Sequence, residues 1–142
     1  MKKLVAVLLM IIILTGCQSE KSTGDSNKDS VTSENFCALA ENDPLAILEF
    51  SIGDSKGEAK KISESDTYRY VIFITLSVET DFKNCVANLV LPTGAEISGE
   101  SPCLKEELSG RPILDLTLDK RYLIIENNGE FREYDFEIAL VN

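Results

Sequence analysis

Beyond residue 47 the apolar and polar residues alternate with period two, the pattern of half-buried β-strands. Leu48, Phe50 and Ile52 share one face, with Glu49 and Ser51 on the other. Tyr68, Tyr70, Ile72, Ile74, Leu76 and Val78 form the longest row, and Val71 and Phe73 opposite it predict a central strand covered partly on both sides. Further rows run through Cys85, Ala87, Leu89 and Leu91, through Leu114, Leu116 and Leu118, over 122–126, and through Tyr134, Phe136, Ile138 and Leu140. Pro92-Thr93-Gly94 predicts a turn into a short strand over 95–98, and Asn127-Asn128-Gly129 a hairpin turn, because Asn and Gly accept positive φ. Helical spacing is scarce. A turn or two of helix fits 35–42 ahead of Asp43-Pro44, and Ser101-Pro102 through Ser109-Gly110 carries the cap, first-position proline and closing glycine of a short helix.

Seven or eight short strands without repeats or alternating helices predict an all-β domain over 35–142. The expected architecture is an antiparallel two-sheet β-sandwich of immunoglobulin-like type, with a small β-barrel as the alternative.

The chain opens Met1-Lys2-Lys3 and continues in an unbroken apolar run from Leu4 to Leu14. As a helix that run would reach about 16 Å, roughly half of a bilayer's hydrocarbon core, which fits a secretory signal better than a permanent span. Leu14-Thr15-Gly16-Cys17 follows, and it resembles the lipobox of bacterial lipoproteins. The resemblance covers residues 1–17 only. It implies that Leu14, Thr15 and Gly16 are read by the lipoprotein signal peptidase, that residues 1–16 are removed, and that Cys17 becomes an acylated first residue. Two or three acyl chains, at about 0.8 kcal/mol per buried CH₂, anchor stably where one does not. The family further implies a cell-envelope address. With Gln18 after the cysteine, that is the periplasmic face of the outer membrane in a Gram-negative cell, and otherwise the outer face of the cytoplasmic membrane.

Residues 18–34 are rich in Ser and Thr, with Val31 as the single large apolar side chain, and cannot bury enough surface to offset ordering entropy. With Cys17 they read as a lipidated tether over 17–34, whose coil would span about 23 Å.

Charge narrows the function classes. The chain has 24 acidic against 14 basic side chains, a net of −10, which disfavours nucleic acid as a partner. Lys2 and Lys3 are lost with the signal, so the mature chain is more acidic still, and an anionic membrane surface would repel it. Lipid and tether must then do the anchoring. The complete absence of histidine removes Ser-His-Asp and Cys-His catalysis and every His-ligated metal site. No catalytic motif, metal site or cofactor is predicted beyond the acyl lipid on Cys17.

Apart from Cys17, three cysteines remain, an odd number for an oxidising compartment. If the turn at 92–94 pairs Leu91 with Ala95, the register sets Cys85 opposite Ser101, two residues from Cys103. A Cys85–Cys103 disulfide is therefore expected, with Cys37 as the unpaired thiol. Glu133, Asp135 and Glu137 form an acidic row on the outward face of the last strand, a candidate partner-facing surface as well as an ordinary solvated one. The resulting expectation is a non-catalytic envelope lipoprotein that binds or assembles with another envelope protein. The alternatives are an inhibitor or immunity lipoprotein against a basic enzyme or toxin, and a small-ligand or metal-ion binding lipoprotein.

Overall fold

The computed structural model of the chain describes residues 35–37, 39, 40 and 42–142, leaving out the side chains of Asn35 and Phe36. The expected signal peptide at 1–16, the expected lipidation of Cys17 and the expected tether over 17–34 fall outside the described residues.

The described residues form strands and turns. In chain order the strands are β1 (Asn35–Cys37), β2 (Glu49–Ile52), β3 (Ser55–Glu64), β4 (Thr67–Ser77) and β5 (Cys85–Val90). They continue as β6 (Glu96–Ile97), β7 (Leu104–Leu108), β8 (Arg111–Leu114), β9 (Tyr122–Asn127) and β10 (Glu130–Val141). The all-β expectation holds. The two-sheet sandwich is not confirmed: one continuous path runs β6-β9-β10-β4-β3-β2-β5-β8-β7, with β1 added on β3. The sheet is also mixed: β10 runs parallel to β4 from Asp135↔Val71 to Val141↔Ser77.

This sheet must curl, and a single loop shows why. β6 pairs with β9 at one end of the path, while β7 pairs with β8 at the other. Eight inter-strand steps would hold the edges of a flat sheet about 38 Å apart. The chain from Ile97 to Leu104 reaches at most about 25 Å. The two ends are therefore drawn toward each other into a half-barrel, compatible with the barrel alternative. Ser98 N donates to Ile124 O at 2.8 Å, and Ser101 Oγ accepts from Ile124 N at 2.9 Å, so the connecting loop continues the coverage of β9 after β6 ends.

The concave face encloses the core. Phe50, Ile52, Ile72, Ile74, Leu76, Ala87, Leu114, Leu123, Ile125, Tyr134 and Phe136 pack there, with Leu45 and Ile47 from the preceding loop. The row from Ile72 to Leu76 is buried as its period predicts, whereas the outlying Tyr68 and Val78 are exposed. Val71 on the opposite face is also fully buried, as expected of a central strand.

Two helix expectations are corrected. Residues 35–37 form β1, paired with β3 through Cys37↔Lys61. Leu104–Leu108 forms β7, and Ser109 and Gly110, at φ of 52° and 75°, make a hairpin turn rather than a helix end. The Leu-Lys-Glu-Glu-Leu stretch suits a helix, but pairing with β8 overrides local propensity. The hairpin expected at Asn128-Gly129 is present, with φ of 52° and 83° and Asn127 opposite Glu130.

β3 has no counterpart among the sequence-derived strands. Its segment Ser-Lys-Gly-Glu-Ala-Lys-Lys-Ile-Ser-Glu has one large apolar side chain, and its core-facing positions carry Gly57 and Ala59. A Cβ on Gly57 would lie 2.8 Å from Phe50 Cδ1 and 3.2 Å from the Phe73 carbonyl. Neighbouring side chains fill the space that β3 leaves, so it needs no apolar row of its own.

Candidate functional site

The feature of interest is the divergence of β4 and β10. Their ladder begins only at Asp135↔Val71. Before it, Thr67–Tyr70 pairs with β3 alone and Glu130–Tyr134 with β9 alone. Between these segments lies a groove of about 720 Å³. Tyr68, Arg69 and Tyr70 line one side, and Phe131, Arg132 and Glu133 the other.

The core side of the groove is braced by Tyr134. This fully buried ring meets Tyr70 edge-on at a centroid distance of 5.6 Å, and its hydroxyl donates to Leu45 O at 2.8 Å. Arg132 stacks its guanidinium 4.2 Å from the Tyr70 ring centre and donates to Asp43 Oδ2 at 2.6 Å. Burial opposes the Arg132 charge, but the bonds to Asp43 and Tyr134 outweigh it and raise its pKa. Burial, above all, raises the Tyr134 pKa and keeps the hydroxyl a protonated donor. The charge that holds the braced side is therefore committed internally.

The same is true of much of the acidic row. Arg69 reaches Glu137 at 3.0 Å, Glu64 at 3.2 Å and Asp135 at 3.9 Å. Two of the three row carboxylates are thus partly neutralised by the neighbouring strand, which no reading of β10 by itself could reveal. Glu133 at the groove carries no ion pair among the described residues, and neither does Glu100 on the loop across from it. Tyr68 and Phe131 remain 60% and 62% exposed at the mouth. Sequence alternation did not single out Phe131; its position after the Asn128-Gly129 turn was the only available signal.

The cysteine expectations are corrected. Cys85 and Cys103 are both free and buried. β5 pairs with β2 and β8, not with β6, so the assumed hairpin register does not exist. Cys85 faces Leu114, and β8 separates it from β7, which begins one residue after Cys103. Two strand spacings are about 9.6 Å, beyond the Cα separation that a disulfide spans. Cys85 Sγ lies 3.3 Å from Asp81 O and Cys103 Sγ 3.1 Å from Tyr122 O. Burial pushes these thiols up to about 11 and about 12, so both are protonated and unreactive near neutrality. Cys37 is not a free thiol, contrary to its expected role as the unpaired cysteine.

Another concavity, of about 690 Å³, involves Lys56, Glu58, Phe73, Thr75 and Glu137. Lys60 holds Glu58 at 2.7 Å and Arg69 holds Glu137, so its carboxylates already have partners. Among the described residues no three His, Cys, Asp or Glu side chains are grouped to hold a metal ion. Comparisons with known protein families, curated proteins and solved structures find no match for this chain.

Proposed function

We propose that this chain is a lipid-anchored lipoprotein of the bacterial envelope whose β-domain serves as a non-catalytic protein-binding module. Leu14-Thr15-Gly16-Cys17 behind a basic, apolar leader supports the anchor. The observation that carries the binding role is the β4–β10 groove, where two exposed aromatic rings stand over strand edges without a sheet neighbour. Aromatic side chains concentrate binding energy where they can be desolvated by a partner. A target-blocking role, as inhibitor or immunity lipoprotein, is a second form of the same reading. It is favoured by Glu100 and Glu133, which carry no ion pair among the described residues, and by the acidic balance, which would steer a basic partner.

A photo-crosslinking residue in place of Phe131, expressed in the full chain in cells, tests the binding role. We expect one adduct of defined mass that disappears when Tyr68→Ser is added. The same adducts from a crosslinker at Lys120 would refute a groove-specific partner. For the anchor, Cys17→Ser should give an uncut precursor that takes up no labelled palmitate; continued acylation of that variant would overturn the assignment.

A further inference from the structure

We infer that the β4–β10 groove accepts an extended, basic segment of a partner protein as an added β-strand. The inference rests on the protein-binding reading above and specifies its chemistry. Thr67–Tyr70 and Glu130–Tyr134 are strand segments hydrogen-bonded on one flank only, and their open flanks face the same groove. Open strand flanks are templates for another chain, usually blunted by charge or covered by a loop. Here they lie inside the strand order, at the wedge where two parallel neighbours separate. Because β4 and β10 run in the same direction, an inserted strand meets both in one sense, and antiparallel pairing to each is the stronger arrangement.

The two sides of the groove are fixed relative to each other on the core side, where Arg132 and Tyr134 of β10 both pack on Tyr70 of β4. Tyr134 is fixed to Leu45 O, and Arg132 is clamped between Asp43 and Tyr70. An occupant therefore finds its site preformed, which lowers the ordering cost of binding. At about 720 Å³ the space lies within the range of ligand-binding clefts.

Charge identifies the occupant. Arg69 and Arg132 are spent on carboxylates of this chain, whereas Glu100 and Glu133 have no cation among the described residues. Among the described residues the groove thus presents two carboxylates without an ion pair, beside the exposed Phe131 ring and a Tyr68 ring that carries the Lys61 ammonium 3.6 Å from its centre. In a strand that alternates Lys or Arg with aliphatic residues, the basic residues meet Glu133 on the outward face, which also carries Phe131, and the aliphatic ones meet Tyr68 on the core side, since successive side chains point to opposite faces. An acidic strand would meet like charge at the site.

The test uses the full chain in detergent micelles and the synthetic peptide acetyl-Val-Lys-Val-Lys-Val-Lys-amide. Its controls are the Val-Glu counterpart and a Val-Lys peptide N-methylated at alternate backbone amides. We expect the Val-Lys peptide to bind at least tenfold more tightly than either control, and to slow amide exchange at 67–70 and 130–134. Phe131→Ala should weaken it about tenfold, and Glu100→Gln with Glu133→Gln should abolish the preference over Val-Glu. Equal binding of the N-methylated peptide, equal binding of Val-Glu, or protection confined to other strands would each overturn strand addition. Specific crosslinking from position 131 together with any of those results would sink the strand mode alone. Failure of both experiments would sink the binding role as well.

Discussion

Asp43 and Arg132, 89 positions apart in the chain, meet in a 2.6 Å ion pair in which each side chain is only 16% exposed. Asp43 also accepts from Leu45 N at 3.1 Å, so one carboxylate shapes the loop before β2 and fastens it to β10. The pair lies between the limits of surface and fully buried salt bridges. Asp43→Ala should therefore lower stability by about 2 kcal/mol, because it strands a guanidinium held against Tyr70. Urea unfolding of Asp43→Ala, Arg132→Met and the double variant should give a coupling of about 1 kcal/mol or more. Strict additivity would mean that the contact contributes nothing.

Ser101 is the second structural tie. Its hydroxyl accepts from Ile124 N at 2.9 Å and donates to Ser98 O at 2.7 Å, in a buried position beside β9. Ser101→Ala leaves a backbone N–H without its partner and should cost about 2 kcal/mol, with the amide of Ile124 exchanging faster. If that exchange rate is unchanged, water or another group replaces the hydroxyl.

Gly57 and Gly99 make a paired test of packing. An added Cβ at Gly57 meets Phe50, the Phe73 carbonyl and Ile72, whereas at Gly99 it meets nothing within 4 Å. Gly57→Ala should lose about 2 kcal/mol by overpacking, and Gly99→Ala should stay within about 0.5 kcal/mol of the parent. Equal thermal midpoints for the two variants would contradict the close approach of β2, β3 and β4.

Alkaline pH should expose the buried thiols. The ordinary value of 9.0 rises to about 11 at Cys85 and about 12 at Cys103, chiefly through burial. The unfolded chain therefore gives up these protons first. Stability is fully present below pH 9 and falls as pH climbs toward 11–12, by up to about 1.4 kcal/mol per unit for a single buried thiol. Tyr134, raised from 10.0 by burial, adds to the loss above that value. Unfolding midpoints from pH 8 to 11 should fall less steeply for Cys85→Ala/Cys103→Ala, and an unchanged slope would count against thiol burial. Both native thiols should react with a disulfide reagent only on unfolding.

Much of the strand content was legible because burial on one face of a sheet imposes period two. The rows through Phe50, Ile72, Ala87 and Phe136 and the turn at Asn128-Gly129 are local consequences of their own residues. β3 was invisible because its core-facing residues are small by necessity, the space being filled by Phe50 and Ile72. β7 was misread because its propensity is helical while its partner is β8. The groove was the least legible feature. Tyr68 and Phe131 lie 63 positions apart in sequence, and neither carries a motif.

By itself, the sequence determined the β class, the main inward rows, the acidity and the absence of histidine chemistry, since each depends on composition or on neighbours two residues away. The tertiary structure alone decided strand order, the parallel β4–β10 pairing, the separation of Cys85 from Cys103 and the partnering of the acidic row by Arg69. Those are relations between distant segments. Hydrogen-bonding groups are the same on every strand, so it is the closing loop between β6 and β7, together with side-chain packing, that selects which edges meet.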